Sequence, residues 1–504
     1  MIELRKYQEE SIEGLRELRQ AGHKRICLQS ATGTGKTPIA AKLISMIRAQ
    51  SPHAVVWFVA PRRELIDAAS NNLKKCDVSH SKIIPGRAES LAYAVHVVSK
   101  DTLTNRWEKI KKIPTHIIFD ECHLNIDFQK ECVERYPDAV CYGMTATPER
   151  FDGIGLSIHG GGIYDDIVYG RSIPWMMERD YLARLRYFAP ITELEADIYG
   201  NAIQHYEKYS PGKPFLVFCD SVDHANEAAV EFEKAGYRVK CIEAKTKNRK
   251  EILDDFENGR LDGITNCMVA TYGLDLPRVE SIIDIARTGS LALYFQKIGR
   301  GLRPYDEKES LIYLDMVNNV ERHCIHKNKD GVPIPPHYET HIDWNFEGDK
   351  KRKRKEPEEI ESPVKYCESC NEYYNTERCP ICGKAPIPRP PKEQTVADVD
   401  LKELEKVPLK DLPFEERRGA IDRIARAKMQ WYEKLRTGEV CTEAVKDMLD
   451  LADECGYRAI WAYYKINDRH RLSRDVTLLH EIARQKGYKP QWVNHQGYAK
   501  EAKG

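Results

Sequence analysis

Net charge is what this chain lacks: its 504 residues carry 78 Lys and Arg against 78 Asp and Glu. That balance excludes a uniformly basic nucleic-acid binder, so any face that grips a polyanion has to be local. Long apolar runs are missing as well. No stretch approaches the roughly eighteen apolar residues of a membrane-spanning helix, and the opening MIELRKYQEE is charged where a secretory leader is apolar. The expectation is a soluble, cytoplasmic protein without membrane contact. A disulfide framework is absent too. Most of the 15 cysteines stand singly in apolar runs, as Cys27, Cys219 and Cys241 do, which is the pattern of reduced buried thiols.

What is present over the first two thirds is a rhythm of short apolar runs alternating with amphipathic helical patterns. The runs are RICLQS, AVVWFVA, AVHVVS and HIIFDE, then FLVFCD, RVKCIEA, ITNCMVA, SIIDIA and SLIYLDM. Such alternation predicts α/β architecture with parallel sheets. The first four runs are assigned to one sheet and the later five to another, separated by a stretch from Phe151 to Pro211 that contains Gly160, Gly161 and Gly162. Two lobes follow, at 1–172 and 173–347. Beyond them, Lys350 to Lys355 are basic without interruption and lead into an acidic, proline-flanked stretch that cannot bury a core, so 348–364 reads as a charged linker.

Within 365–386, Cys367 and Cys370 form one Cys-x-x-Cys pair and Cys379 and Cys382 another, eight residues apart. That spacing lets two thiolate turns meet around tetrahedral Zn²⁺, in a small zinc ribbon or knuckle. Four thiolates leave no open position for water, so the zinc is expected to be structural. Metal binding worth about 10–16 kcal/mol would supply most of the folding free energy of so short a module. The prolines of KAPIPRPPKEQ then make 387–407 a stiff linker, and 408–504 reads as a helical C-terminal domain. An internal echo marks that domain: MLDLADECGYRAIW at 448–461 and LHEIARQKGYKPQW at 479–492 share an apolar helix and a Gly-Tyr-basic-x-x-Trp ending, with Gly456 and Gly487 as helix stops. Its aromatics, Trp431, Tyr432, Trp461, Tyr463, Tyr464 and Trp492, are read as helix core before they are read as a stacking surface.

The chemistry concentrates in two segments. SATGTGKT, from Ser30 to Thr37, follows a strand and opens a helix. There the backbone amides of Gly33, Thr34 and Gly35 can wrap phosphate oxygens, Lys36 can neutralise the β and γ phosphates, and Thr37 can bind Mg²⁺. Ser30 stands where the strict pattern has glycine. HIIFDECH ends an apolar strand in two carboxylates, so that Asp120 can hold Mg²⁺ while Glu121 orients and deprotonates water. ATP and Mg²⁺ are the expected ligands.

SATGTGKT, DECH, GMTATPER (143–150), ATYGLDLP (270–277) and QKIGRGLRP (296–304) together resemble motifs I, II, III, V and VI of the superfamily 2 helicases, in order and in spacing. The resemblance covers residues 1 to about 345 and implies two tandem RecA-like lobes. By the same resemblance Gln8 reads adenine with support from Arg5, Gly273 and Asp275 contact ribose, and Gln296, Arg300 and Arg303 reach the γ-phosphate from the second lobe. Cations of that last kind are worth about 10³–10⁵ in rate. Thr145 and Thr147 resemble the relay between nucleotide and nucleic acid, and Pro61, Arg62, Ser99, Thr102 and Ser221 the backbone-contacting positions. Leu274 departs from relatives that often carry Phe.

The DECH and TAT variants, and a glutamine 28 residues before Lys36, look more like DNA-directed helicases than DEAD-box RNA helicases. RadD-like proteins, phage helicases and type III restriction motor subunits share the pattern. The implied activity is an ATP-dependent helicase or translocase acting on double-stranded or branched DNA in replication, recombination or repair, by sequence-independent contacts. An RNA helicase, or an ATP-switched clamp within a larger complex, is the alternative. Protein partners are expected at the zinc module and C-terminal domain.

Overall fold

The computed structural model describes residues 3–87, 89–150, 155–190, 198–243, 246–267, 276–305, 308–328 and most of 330–348, then 365–367, 372–374, 395–397, 400–404 and parts of 442–489. The first lobe is one parallel sheet of β1 (Arg25–Gln29), β2 (Val56–Ala60), β3 (Ser81–Ile83), β4 (Val95–Ser99), β5 (His116–Asp120), β6 (Val140–Thr145) and β7 (Asp166–Tyr169). Their spatial order is β3-β4-β2-β5-β6-β1-β7. Because helices cover both faces, the strands read as unbroken apolar runs, and alternate residues serve opposite layers. In β2, Val56, Phe58 and Ala60 join the layer formed with α1 (Lys6–Gln20), α2 (Lys36–Gln50) and α3 (Arg63–Lys75), while Trp57 and Val59 join the layer against α5 (Ile126–Arg135). A short α4 (Lys100–Thr104) follows β4.

Three of these seven strands go beyond the four expected. In β6 the apolar run is broken by Gly143, where an added Cβ would lie 2.4 Å from the Tyr164 ring, so the strand needs a residue that weakens its own sequence signal. Strand β3 has three residues, too few for a periodicity to register, and β7 buries only its two central residues between half-exposed ends.

The second lobe is also seven-stranded. Its members are β8 (Arg184–Pro190), β10 (Phe215–Phe218), β11 (Val239–Ile242), β12 (Gly263–Asn266), β13 (Ser281–Asp284), β14 (Ser310–Asp315) and β18 (Leu401–Leu404). They run in the order β11-β12-β10-β13-β14-β8-β18, with β18 antiparallel at the edge. Its helices include α6 (Ile173–Glu178), α7 (Ala202–Tyr209), α8 (Val222–Lys234), α9 (Arg249–Glu257), α10 (Leu291–Gly301) and α11 (Asn319–His323).

Two stretches read as separators belong to the lobes. The 151–211 stretch supplies β7 to the first sheet, and β8 and α7 to the second lobe; 387–407 supplies β17 (Thr395–Ala397), paired to β9 (Ile198–Gly200), and β18. Leu401 and Leu404 are buried, and Arg186 forks onto Glu403 at 2.7 and 2.8 Å, which holds the returning chain on β8. Proline content correctly signals extended backbone, but an edge strand is extended too.

The triglycine has a specific tertiary use. An added Cβ at Gly160 would lie 2.0 Å from the Glu347 carbonyl oxygen, and one at Gly155 would lie 2.4 Å from its carbonyl carbon. The chain after the second lobe therefore rests directly on the first. Leu156 and Ser157 amides donate to Phe346 O at 2.9 and 3.1 Å, and Phe346 is buried in the layer with Trp57 and Phe119.

β15 (Lys365–Cys367) pairs antiparallel with β16 (Glu372–Tyr374), and Cys367 is the last residue of β15. Cys370, Cys379 and Cys382 lie outside the described residues, as do residues 351–364. A second compact unit comprises 324–334, 338–343 and 405–504. In it α12 (Thr442–Glu454) and α13 (Val476–Gln485) pack through Met448, Leu449, Ala452, Leu478, Leu479 and Ile482. Gly487, at φ +66°, ends α13 in the left-handed conformation, and Tyr463 is buried; Gly456, Trp431, Tyr432, Trp461, Tyr464 and Trp492 lie outside the described residues.

Candidate nucleotide cleft

Parallel pairing brings the ends of β1, β6 and β5 to one edge of the first sheet: Gln29 lies opposite Thr145, and Asp120 opposite Met144. Carboxyl ends of strands are where open α/β sheets carry ligand chemistry. The loop from Ser30 leaves that edge and opens α2, with Gly33 at φ +87° and Gly35 at φ +84°, a region that penalises any Cβ. At Gly35 the added Cβ would also lie 2.5 Å from Gln8 Nε2, so a side chain there would push the Gln8 amide aside. Lys36 opens the helix and donates to Ser30 O at 3.2 Å.

Gln8 grips this loop. Its Nε2 donates to Thr34 O at 2.9 Å, Tyr7 Oη donates to the same oxygen at 2.9 Å, and Gln8 Oε1 accepts from the Arg5 amide at 3.0 Å. Arg5 also lies over the Tyr181 ring, which meets Tyr7 edge-on at 4.9 Å. Tyr7 and Tyr181 were not singled out from sequence; an aromatic beside a functional residue carries no signal until the ring has an address.

Asp120 is buried at the end of β5, and Glu121 adopts φ +49°, an uncommon conformation for a residue with a side chain. Burial first, then the neighbouring Glu121 charge, pushes the Asp120 carboxyl up to about 7, against the opposing pull of Lys36 and of the Glu121 amide. Two adjacent carboxylates under that repulsion are a donor set fitted to a divalent cation. Glu121 Oε2 is buried without a hydrogen-bond partner and stands 3.6 Å from His123 Nδ1.

His123, missed by the sequence reading although it belongs to DECH, ties the site to β6. Its Nδ1 shares a hydrogen bond of 2.8 Å with Thr145 Oγ1, which donates to Thr147 O at 2.9 Å and accepts from the Thr147 amide at 3.1 Å. Burial lowers the imidazole below its usual range, so the ring is neutral at pH 7 and one nitrogen can accept.

The second lobe meets the loop through α10. A Cβ at Gly299 would fall 2.4 Å from Thr32 Cβ, and one at Gly33 would fall 3.1 Å from Leu182 Cδ2 and 3.6 Å from Arg303 Cγ. Arg303 and the glycine turn of α10 thus lie against the phosphate-binding loop. Gln296 and Arg300 are buried in the same helix, and Gln296 Oε1 has no hydrogen-bond partner. Beneath them Lys297 donates to both oxygens of Asp284, at 2.8 and 3.0 Å, and to Ala286 O at 2.7 Å, while Asp284 also accepts from Tyr313 Oη and Asn319 Nδ2. Lys297 lay inside a quoted motif, but its partner is distant in sequence and only the fold pairs them.

The remaining positions sit where strands end. Pro61 and Arg62 follow β2, Ser99 ends β4 and starts α4, Thr102 is buried with Oγ1 unpartnered, and Ser221 follows β10 and accepts from the His224 amide at 3.1 Å. Ser221 is therefore already a helix cap. Gly273 and Asp275 lie outside the described residues.

Comparison with known proteins gives two family matches: Type III restriction enzyme, res subunit, over residues 1–150, and Helicase conserved C-terminal domain over 199–304. A 51.5 kDa protein of a Lactococcus phage is 28% identical over 415 residues, which cover 76% of this chain and 84% of that protein. A candidate mitochondrial ATP-dependent helicase, irc3, of Schizosaccharomyces pombe is 27% identical, over 66% of this chain and 61% of its own length. The DNA 3'-5' translocase XPB2 of Sulfurisphaera tokodaii is 24% identical, over 62% of this chain and 81% of its length. Among solved structures, a fragment of a candidate HsdR subunit of a type I restriction enzyme from Vibrio vulnificus superposes with TM-score 0.50 at 20% identity, covering 66% of this chain and 67% of that one, which places the two tandem lobes in the RecA-like fold.

Proposed function

We propose that this chain, an ATP-hydrolysing helicase of superfamily 2 by its two matched domains, is a DNA-directed motor that translocates on and remodels duplex or branched DNA. The observation that carries the reading is the meeting of Gly299 and Arg303 with Thr32 and Gly33, which sets Arg303 of one lobe beside the phosphate loop of the other. Backbone amides from Gly33 to Gly35 and Lys36 receive the triphosphate, and Gln8 and Arg5 stand at the base end. Thr37 and Asp120 would hold Mg²⁺, whose charge would offset the repulsion between Asp120 and Glu121. Glu121, with Oε2 unpartnered, takes the water's proton. Arg300 and Arg303 offset charge on the transferring phosphoryl group with Gln296 beside them, so hydrolysis depends on the lobes being together.

The path from Glu121 through His123 and Thr145 to Thr147 connects the hydrolytic carboxylate to the strand edge where Pro61, Ser99 and Thr102 also lie. Contacts of such side chains with phosphates fix position without reading sequence. DNA is favoured over RNA by the DECH and TAT variants, and the relative from Sulfurisphaera tokodaii is named for DNA translocation. The thiolates of Cys367, Cys370, Cys379 and Cys382 are assigned to a structural Zn²⁺ by their paired Cys-x-x-Cys spacing, and Cys367 ends β15, which pairs with β16. Metal analysis before and after chelation tests this, and a metal-free module with an unchanged spectrum overturns it.

Strand displacement and annealing are to be measured on forked DNA, a Holliday junction and an RNA duplex, with Lys36→Ala as control. DNA-stimulated, Lys36-dependent activity is the expected result. ATP hydrolysis indifferent to DNA sinks the translocase reading, and preference for the RNA duplex transfers the activity to RNA.

A further inference from the structure

Lys308 lies five residues beyond Arg303, outside every motif named above. Its Nζ donates to Gly301 O and Val279 O, to Arg303 O at 3.3 Å and to Pro277 O at 3.5 Å. These oxygens come from two separate segments: the end of α10 with the arginine beyond it, and the loop that leaves ATYGLDLP and enters β13. An ammonium has three protons and no lone pair, so it can share among several carbonyls; a neutral amine has two protons and a lone pair that carbonyl oxygens repel. The charges around it are mixed. Glu280 and Glu257 favour the protonated form, Arg303 and Lys213 oppose it, and Lys213 is itself bonded to Glu280 at 2.7 Å.

We propose that Lys308 is a positioning residue for ATP hydrolysis, its ammonium pinning the end of the arginine-bearing helix to the Pro277–Val279 loop and so fixing where Arg303 meets the phosphate loop. The inference rests on the reading that Arg300 and Arg303 act on the triphosphate. Carbonyls at a helix carboxyl end are otherwise unsatisfied and favour a cation, which explains why lysine is needed here. Bridging to the second loop is what makes the residue a tie between two motifs. Burial pushes the Lys308 ammonium down to about 7, so the tie loosens as pH rises past that value.

The test is steady-state ATP hydrolysis by the full chain with saturating forked DNA, from about pH 6 to about pH 9. Wild type, Lys308→Met, Lys308→Arg, Arg300→Ala and Arg303→Ala are compared. Lys308→Met is expected to lower kcat by about 10²-fold, as a small misplacement of a reacting group does, with KM for ATP moved less than about threefold. Lys308→Arg, charged at every pH used, is expected to recover most of kcat and to lack the wild-type decline above neutral pH. Wild-type kcat in Lys308→Met, or identical alkaline limbs in wild type and Lys308→Arg, overturns the proposal. Should Lys308→Met not fold by circular dichroism, the comparison of limbs decides alone. Undiminished kcat in Arg300→Ala and Arg303→Ala instead removes the premise, whereas their loss beside an active Lys308→Met rejects only the tie.

Discussion

The carboxyl edge of the first motor lobe and the bed of α10 in the second treat buried polar groups in opposite ways. In the first, polar atoms at the carboxyl edge are left open: Thr32 Oγ1, Glu121 Oε2, His123 Nε2 and Thr147 Oγ1 are buried without hydrogen-bond partners. In the second, carboxylates under α10 are closed by protein. Asp284 takes Lys297, Tyr313 and Asn319, while Asp315 takes Tyr187 and the amides of Val317, Asn319 and Val320. An unpartnered buried polar atom costs about 1–3 kcal/mol, so an edge that carries several is built for something that arrives. A closed network in a helix bed has a different use: it fixes how that helix is turned. Gln296, with Oε1 unpartnered, belongs to the open set although it stands on the second lobe.

The sharpest way to break this contrast is to remove charge from each side of the cleft. Arg300→Ala is expected to lower DNA-stimulated kcat by about 10³-fold or more, and Glu121→Gln by about 10²–10⁴-fold, with nucleotide binding retained in both. Rapid-quench hydrolysis and fluorescent-nucleotide titration measure the two quantities; equal loss of binding would mean that the cleft had collapsed. Next, Lys297→Met strands Asp284 in the interior and is expected to destabilise the second lobe by about 3–5 kcal/mol, whereas Lys297→Met with Asp284→Leu loses far less. Urea unfolding followed by hydrogen exchange in β13 and β14 distinguishes them. If the double variant is no better than the single, the network is not a charge-pair device.

Phe346 sharpens the comparison from another side. It lies beyond the second sheet in sequence but in the first lobe's core, so Phe346→Ala is expected to cost about 3–5 kcal/mol and to lower exchange protection in β1 to β7 before that in β10 to β14. Loss confined to the second lobe would contradict that packing. The smallest effect is expected at Ser221, where Ser221→Ala removes the cap of α8 for about 1 kcal/mol. A much larger loss of DNA binding than of stability would show that the hydroxyl contacts phosphate as well.

Legibility followed sequence distance. The loop at Ser30–Thr37 and the Asp120–Glu121 pair were readable because their chemistry requires neighbours in the chain, on the ends of strands whose apolar runs announce them. Strand β6 was not, because Gly143 interrupts its pattern to admit Tyr164. The returning strand β18 was taken for linker, since four residues with two inward leucines are indistinguishable from an extended spacer until β8 is there to receive them.

From sequence alone came the alternating strands and helices, the phosphate loop and the carboxylate pair, because local backbone geometry and consecutive side chains suffice to specify them. Tertiary structure decided everything that depends on residues meeting from afar: Gln8 on Thr34, His123 on Thr145, Lys297 on Asp284, Lys308 across two loops, and Gly160 beneath Glu347. Hydrogen bonds and close packing act over a few ångströms of space, and a linear pattern does not record which distant segments folding brings within that range.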